Sequence, residues 1–380
     1  MNKNSVLFKK IYGSIAAANI GSAMGAAVEW VSVPGGGWKA IEDKWGWVDG
    51  FLPWVQKDRD VRYWNNSPKL HYYEVNMEPG MTEDGAEIRY LLALAIIEKK
   101  GRINVDDLAE VWRREIKRED IGRLVNPHIR MHFDRLMCGD DMSRIPPRFI
   151  GSMTPWIGMV DAPHMIGPVG IINACDPKQA AQDAAEVSLI IQAPESGGTE
   201  SSKAIAAATA AAFDPDATVE SVIDAARNNV SKNTREIIDE ALDLARKYPD
   251  IKSIREPIRA HFMPTYPYAD GVETAAEAIA LFAITKGDVR DGMIGATNLG
   301  RDTDCIGGML GPICGAFKGI DGVPEEWVKQ CDLAISRNPY TMQKIPMERL
   351  SEMMYEALMN HRMRLERQIK TLDSMNKDVL

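Results

Sequence analysis

Apolar residues recur at intervals of three and four along most of this chain, while the period-two alternation of half-buried strands is scarce. The pattern predicts helices over 7–30, 82–99, 105–118, 199–213, 216–230, 233–248, 272–286, 288–297, 303–317, 324–335 and 346–371. A further helix opens at Asp176-Pro177, where proline takes its favoured first position. The expected fold class is all-α, with 1–380 as a single domain and no repeat of fixed period. Two of the helices stand out for small residues. Segment 7–30 is rich in Gly and Ala, and 303–317 contains Gly307, Gly308, Gly311 and Gly315. Glycine is costly inside a helix, so the simplest account is close approach of another backbone. Pro312 is expected to kink that second helix or end it early.

Two regions break the helical rhythm. Residues 31–80 read as a loop-like lid holding Trp38, Trp45, Trp47, Phe51, Trp54, Tyr63, Trp64, Tyr72 and Tyr73. Packing onto the core explains some of these rings. Stacking on a planar ligand would explain others, and Trp54 and Trp64 are the candidates for it. Residues 120–170 hold Pro127, Pro146, Pro147, Pro155, Pro163 and Pro168, as a linker or a pocket-lining loop would. The dense helices on both sides favour the pocket. At the other end, 346–380 forms a Met-rich helix and tail that packs against its own core or against a second subunit.

Composition narrows the function classes. The chain of 380 residues is 45% hydrophobic and 26% charged, an ordinary globular balance. A net charge of −9 disfavours nucleic acid as a partner. Five cysteines without a CxxC pair read as reduced thiols of a cytoplasmic protein rather than a disulfide framework or zinc site. Lys9-Lys10 before 15–28 superficially imitates a secretory signal, but Asn19, Ser22 and Glu29 interrupt or end the run. No stretch is expected to span a bilayer, and no membrane partner is expected. The six histidines show no ligand spacing except His128 and His132, which lack a following carboxylate, and Gly35-Gly36-Gly37 lacks the lysine and the helix start of a phosphate loop.

Candidate chemistry lies in two acidic clusters more than two hundred residues apart, each at a predicted helix start: Thr82-Glu83-Asp84 and Asp302-Thr303-Asp304. Ordinary N-capping explains either one alone. Carboxylates this dense repel one another unless a cation or a positive helix end offsets the repulsion, and hard divalent cations want such oxygens.

Three segments together resemble the ADP-ribosylglycohydrolase family. Gly21-Ser22-Ala23-Met24-Gly25 with Glu29 is similar to that family's first-helix motif Gly-Asp-Ala-Leu-Gly…Glu. Thr82-Glu83-Asp84 resembles its Thr-Asp-Asp. The run Asn298-Leu299-Gly300-Arg301-Asp302-Thr303-Asp304-Cys305-Ile306, continuing to Gly315-Ala316-Phe317, resembles its long Asn-x-Gly-Gly-Asp-Thr-Asp-Thr-Ile signature, and Pro324 with Trp327 follows as in the family.

The resemblance implies an all-α fold around two Mg²⁺ ions, with Mn²⁺ as an alternative. It also implies hydrolysis of a glycosidic bond to ribose in a small ribosyl substrate, ADP-ribosylated or nucleoside-like. Thr82, Glu83, Asp84, Asp302 and Asp304 would hold the metal, Glu29 and Asp84 would be catalytic, and Glu29 would position or deprotonate a water. The alternative for Glu29 is a solvated helix end. The family's substrate loop aligns on 159–170, with Gly167 and Gly170 as substrate-side positions and Met165 where the family has Arg. Ser22 replaces an Asp, Glu83 an Asp, and Cys305 a Thr whose hydroxyl completes the metal shell. A thiol is a poor Mg²⁺ ligand and suits a softer ion. Such departures leave a second reading, a degenerate member that binds without turnover. The retained acids oppose it.

Overall fold

A computed structural model of the chain describes residues 2–32, 37–59, 72–82, 84–117, 127–139, 144–338 and 341–377. The architecture is all-α and is organised around two helices, Val6–Ser32 and Thr303–Lys318, which run antiparallel along each other. Their contact is backbone on backbone. A methyl group added at Gly13 would lie 2.4 Å from the Gly315 carbonyl oxygen, at Gly21 2.3 Å from that of Gly307, and at Gly311 2.4 Å from that of Ala17. Small residues therefore face each other at four-residue steps down both helices, the row that the α-helix repeats on one face. The glycines expected to serve close packing do so. Pro312 neither ends this helix nor prevents it reaching Lys318.

Around this pair most of the remaining helices build one large apolar cluster that runs in sequence from Ile11 to Leu358, and a smaller one gathers around Ile41 and Trp54. Contrary to expectation, the N-terminal helix is long and apolar enough over Val6–Glu29 to cross a membrane. However, 94% of its apolar window is buried inside the protein, so its composition is that of a core helix. Most predicted helices form within a few residues of their expected bounds. Helix Ile251–Phe262 is an addition, formed despite Pro257 and capped by Asp250, whose side chain accepts from the Ser253 amide.

The two irregular regions hold more structure than expected. Within 31–80 lie a helix, Gly37–Trp45, and an antiparallel hairpin pairing Trp54–Arg59 with Tyr72–Met77. Within 120–170 lie the helices Pro127–Leu136, Pro147–Ile150, Asp161–Met165 and Gly167–Ile172, the last continuing to residue 172. The C-terminal helix Met347–Lys377 buries Met347, Leu350, Met354 and Ala357 against its own core, whereas Met363, Leu365, Ile369, Leu372 and Met375 are exposed.

Helix Asp84–Lys99 crosses beside the central pair and has a fully buried acid, Glu87. The Met342 amide donates to both of its carboxylate oxygens, at 3.0 and 2.9 Å. Burial nevertheless pushes Glu87 up to about 8 from its ordinary 4.5. The folded state then holds this proton more tightly than the unfolded chain. Its contribution is complete below pH 4.5 and is lost as pH rises through about 8. In thermal melts across that window, Glu87→Gln should flatten the fall in stability relative to the parent protein. Gly307→Ala, by forcing a methyl group into the Gly21 backbone, should cost about 1–3 kcal/mol and lower the melting temperature.

Candidate metal centre

Because the central helices are antiparallel, the last turn of one meets the first turn of the other. Gly25 lies against the backbone of Thr303 and Asp304, where a methyl group would come within 2.3 Å of the Asp304 nitrogen. Thr303 Oγ1 donates to the Gly25 carbonyl at 2.8 Å and fixes this register. One turn beyond Gly25 the helix delivers Glu29 to Asp302 and Asp304. The three carboxylates are buried, and one oxygen from each lies within 4.8 Å of the others. Glu29 is 5% exposed, so it is not a solvated helix end.

Plain N-capping does not account for the acids of this turn. Asp302 occupies the N-cap position, yet its side chain makes no capping hydrogen bond. Asp302 Oδ2 and Asp304 Oδ1 are buried and accept no hydrogen bond among the described residues. Buried carboxylate oxygens are otherwise almost always paired or coordinated to a metal. Burial first, then the charges of Asp304 and Glu29, push Asp302 well above the usual carboxylate range, and burial raises Asp304 as well. The positive end of the Thr303–Lys318 helix offsets part of this repulsion. Donor set and orphaned oxygens both fit a divalent cation.

Further groups close around the acids, and the sequence did not reveal them. Tyr268 donates its hydroxyl to Glu29 Oε1, and burial followed by the charge of Glu29 raises its own pKa. On the other side His164 lies with Nε2 2.9 Å from Ser22 Oγ and Nδ1 3.2 Å from Cys305 Sγ. The ring passes between two glycines: a methyl group at Gly85 would sit 2.2 Å from it, and one at Gly308 2.3 Å. Arg89 donates to Ser22 Oγ at 3.3 Å and to the Ala18 carbonyl at 3.2 Å. Burial lowers Arg89 to about 10, which leaves it cationic at neutral pH. Neither His164 nor Arg89 has a local motif. Their partners Ser22 and Cys305 come from segments distant in sequence.

Thr82 is buried, and its carbonyl accepts from Asn338 Nδ2 at 2.7 Å, while the Gly85 contact brings this turn against His164. Asp84 opens its helix, as expected. Glu83 and Trp64 lie outside the described residues, as does the side chain of Asp84. Gly167 and Gly170 are buried packing positions. A methyl group at Gly170 would lie 2.5 Å from Thr209, and one at Gly167 3.0 Å from Pro312.

Trp54 belongs to a small apolar cluster with Ala26, Val28, Ile41 and Met77. Trp38 and Trp47 turn their faces to Arg255, 4.2 and 5.4 Å from the ring centroids, so these rings pack within the protein. The aromatic segment is pinned to the acidic motif by Asn298, whose side chain accepts from the Val48 amide at 3.0 Å and donates to the Val48 carbonyl at 2.6 Å.

The all-α fold is that of a glycohydrolase-type scaffold. The family model for ADP-ribosylglycohydrolase matches residues 3–362, and the chain belongs to that family. A solved structure described as an "ADP-ribosylglycohydrolase-related protein complex" shares the fold at 16% identity and a TM-score of 0.60, covering 93% of this chain and 99% of that one. No curated protein matches the chain.

Asn298→Ala, which leaves both Val48 backbone groups without their partner, should cost about 1–3 kcal/mol. Tryptophan fluorescence should report loosening of 37–59 while the helical circular dichroism is retained.

Proposed function

We propose that the protein hydrolyses a glycosidic bond to ribose in an ADP-ribosylated or nucleoside-like substrate, using divalent cations at the meeting of the two central helices. The observation that supports this best is the trio Glu29, Asp302 and Asp304, buried within 4.8 Å of one another, with oxygens of Asp302 and Asp304 left without donors. The residues that would hold the ions are Asp302 and Asp304 from one helix start and Thr82, Glu83 and Asp84 from the other, with Mg²⁺ as the leading ion and Mn²⁺ as the alternative. Bound there, a pair of divalent ions supplies Lewis acidity, orients ribose hydroxyls and lowers the pKa of water.

The protein's own groups do the rest. Glu29 orients the attacking water and takes its proton, and the Tyr268 hydroxyl on Oε1 keeps the other carboxylate oxygen turned to that task. Water adds at the anomeric carbon as the bond to the leaving group breaks. The leaving group departs with the bonding electron pair and receives a proton, for which protonated Glu29 is the nearest store. Rings that pack on Arg255 or in the Trp54 cluster are already engaged, so base stacking is left to the remaining aromatics of 31–80.

A panel of ADP-ribosyl-arginine, ADP-ribosyl-serine and nucleosides, assayed with Mg²⁺ and with Mn²⁺, tests the reading through release of a free ribosyl group. Asp302→Asn and Asp304→Asn should each abolish turnover with helical circular dichroism intact, and near-normal activity in either would remove the assigned centre. A cation present at a hundredfold excess over its dissociation constant should stabilise the protein by about 2.7 kcal/mol. Equal melting temperatures in EDTA and in millimolar Mg²⁺ or Mn²⁺ would contradict the metal reading.

A further inference from the structure

Asp304 belongs to two groups of potential ligands. On one side it faces Glu29 and Asp302; on the other it faces His164 and Cys305, all three of these buried. The second group has one nitrogen, one sulfur and one oxygen. We propose that His164 Nδ1, Cys305 Sγ and Asp304 Oδ2 form a zinc site.

The distances support this. Nδ1 is 3.2 Å from Sγ, Sγ 3.7 Å from Oδ2, and Nδ1 3.9 Å from Oδ2. Tetrahedral zinc with ordinary bond lengths places such ligand atoms roughly 3.4–3.6 Å apart, and each observed edge lies within about 0.5 Å of its ideal. A fourth position remains for water or for Asp302.

Hydrogen bonding already presents the imidazole in the form that a metal requires. Ser22 Oγ has one proton and donates it to the Ala18 carbonyl at 3.0 Å. Arg89 can only donate, so it uses an acceptor position of the same oxygen. His164 Nε2 must therefore give its hydrogen to Ser22, which leaves Nδ1 with a bare lone pair aimed at Cys305 and Asp304. Metal-binding histidines are oriented in this way, by a donor bond from the far nitrogen. The orphaned Asp304 Oδ1 remains available to an ion on the Glu29 side, so one carboxylate can serve both positions.

Chemistry selects the ion. Mg²⁺ wants about six oxygens, whereas a thiolate, imidazole and carboxylate set suits a borderline ion such as zinc. When it binds, the Cys305 S–H proton leaves to solvent and the thiolate takes its place on the metal. No electrons change hands. The inference concerns the ion and is read without substrate, so it stands or falls separately from the proposed hydrolysis.

The experiment uses full-length reduced protein, stripped with EDTA and titrated with Co²⁺ as a coloured stand-in for zinc. A thiolate-to-cobalt charge-transfer band should grow to one equivalent, be bleached by Zn²⁺ and be unmoved by excess Mg²⁺. Cys305→Ser should remove the band. Ser22→Ala retains all three ligands and should weaken zinc binding about 10–100-fold by freeing the imidazole to rotate. Cys305→Thr, checked for native circular dichroism, should bind zinc poorly and Mg²⁺ more tightly than the parent. Cobalt binding without a sulfur band, or Cys305→Thr binding zinc as tightly as the parent, would overturn the proposal.

Discussion

The contact of two helix backbones without intervening side chains is the constraint on which the rest of this structure depends. Gly13, Gly21, Gly307, Gly311 and Gly315 let Val6–Ser32 and Thr303–Lys318 approach until carbonyls lie where Cβ atoms would otherwise be. Such closeness gives many dispersion contacts per residue, and it sets the relative height of the two helices to within one residue. The chemistry depends on that height. Glu29 belongs to one helix and Asp302 and Asp304 to the other, so a small slip would separate acids that now lie within 4.8 Å.

Bringing these acids together has an electrostatic cost that the fold only partly offsets. The N-terminus of the Thr303–Lys318 helix and the buried Arg89 guanidinium both supply positive potential, and Tyr268 donates to Glu29. Oxygens of Asp302 and Asp304 still lack donors. A charge-dense pocket left undercompensated by its own protein is poised for a cation, and this is the physical reason to expect metal binding beyond family membership. It also argues against the degenerate reading, because a purely structural core gains nothing from acids that repel one another.

Much of this was legible in the sequence, and the exceptions have identifiable causes. The helices were visible because they are amphipathic or rich in small residues. The Asp302–Asp304 turn was visible because its signature is local and contiguous. Ile251–Phe262 was hidden by Pro257, which reads as a breaker although it sits in a helix whose apolar face, through Ile254, Ile258 and Phe262, is intact. The hairpin Trp54–Arg59 with Tyr72–Met77 was hidden by an aromatic content that also suits a lid. His164 could not be found at all. Its partners, Ser22 and Cys305, are 142 and 141 residues away, so no spacing rule connects them. Cys305 itself stood out in the sequence, at the place of a Thr in the resembling motif, but no spacing there joins it to His164.

An interface made of glycine and main chain has a further property: it contains almost no rotatable bonds. Side-chain cores fluctuate by exchanging rotamers, but Gly21 against Gly307 has no rotamer to exchange. The base under Glu29, Asp302 and Asp304 therefore has few side-chain torsions through which to relax. An ion arriving at the centre therefore meets acids whose spacing the main chain has already set.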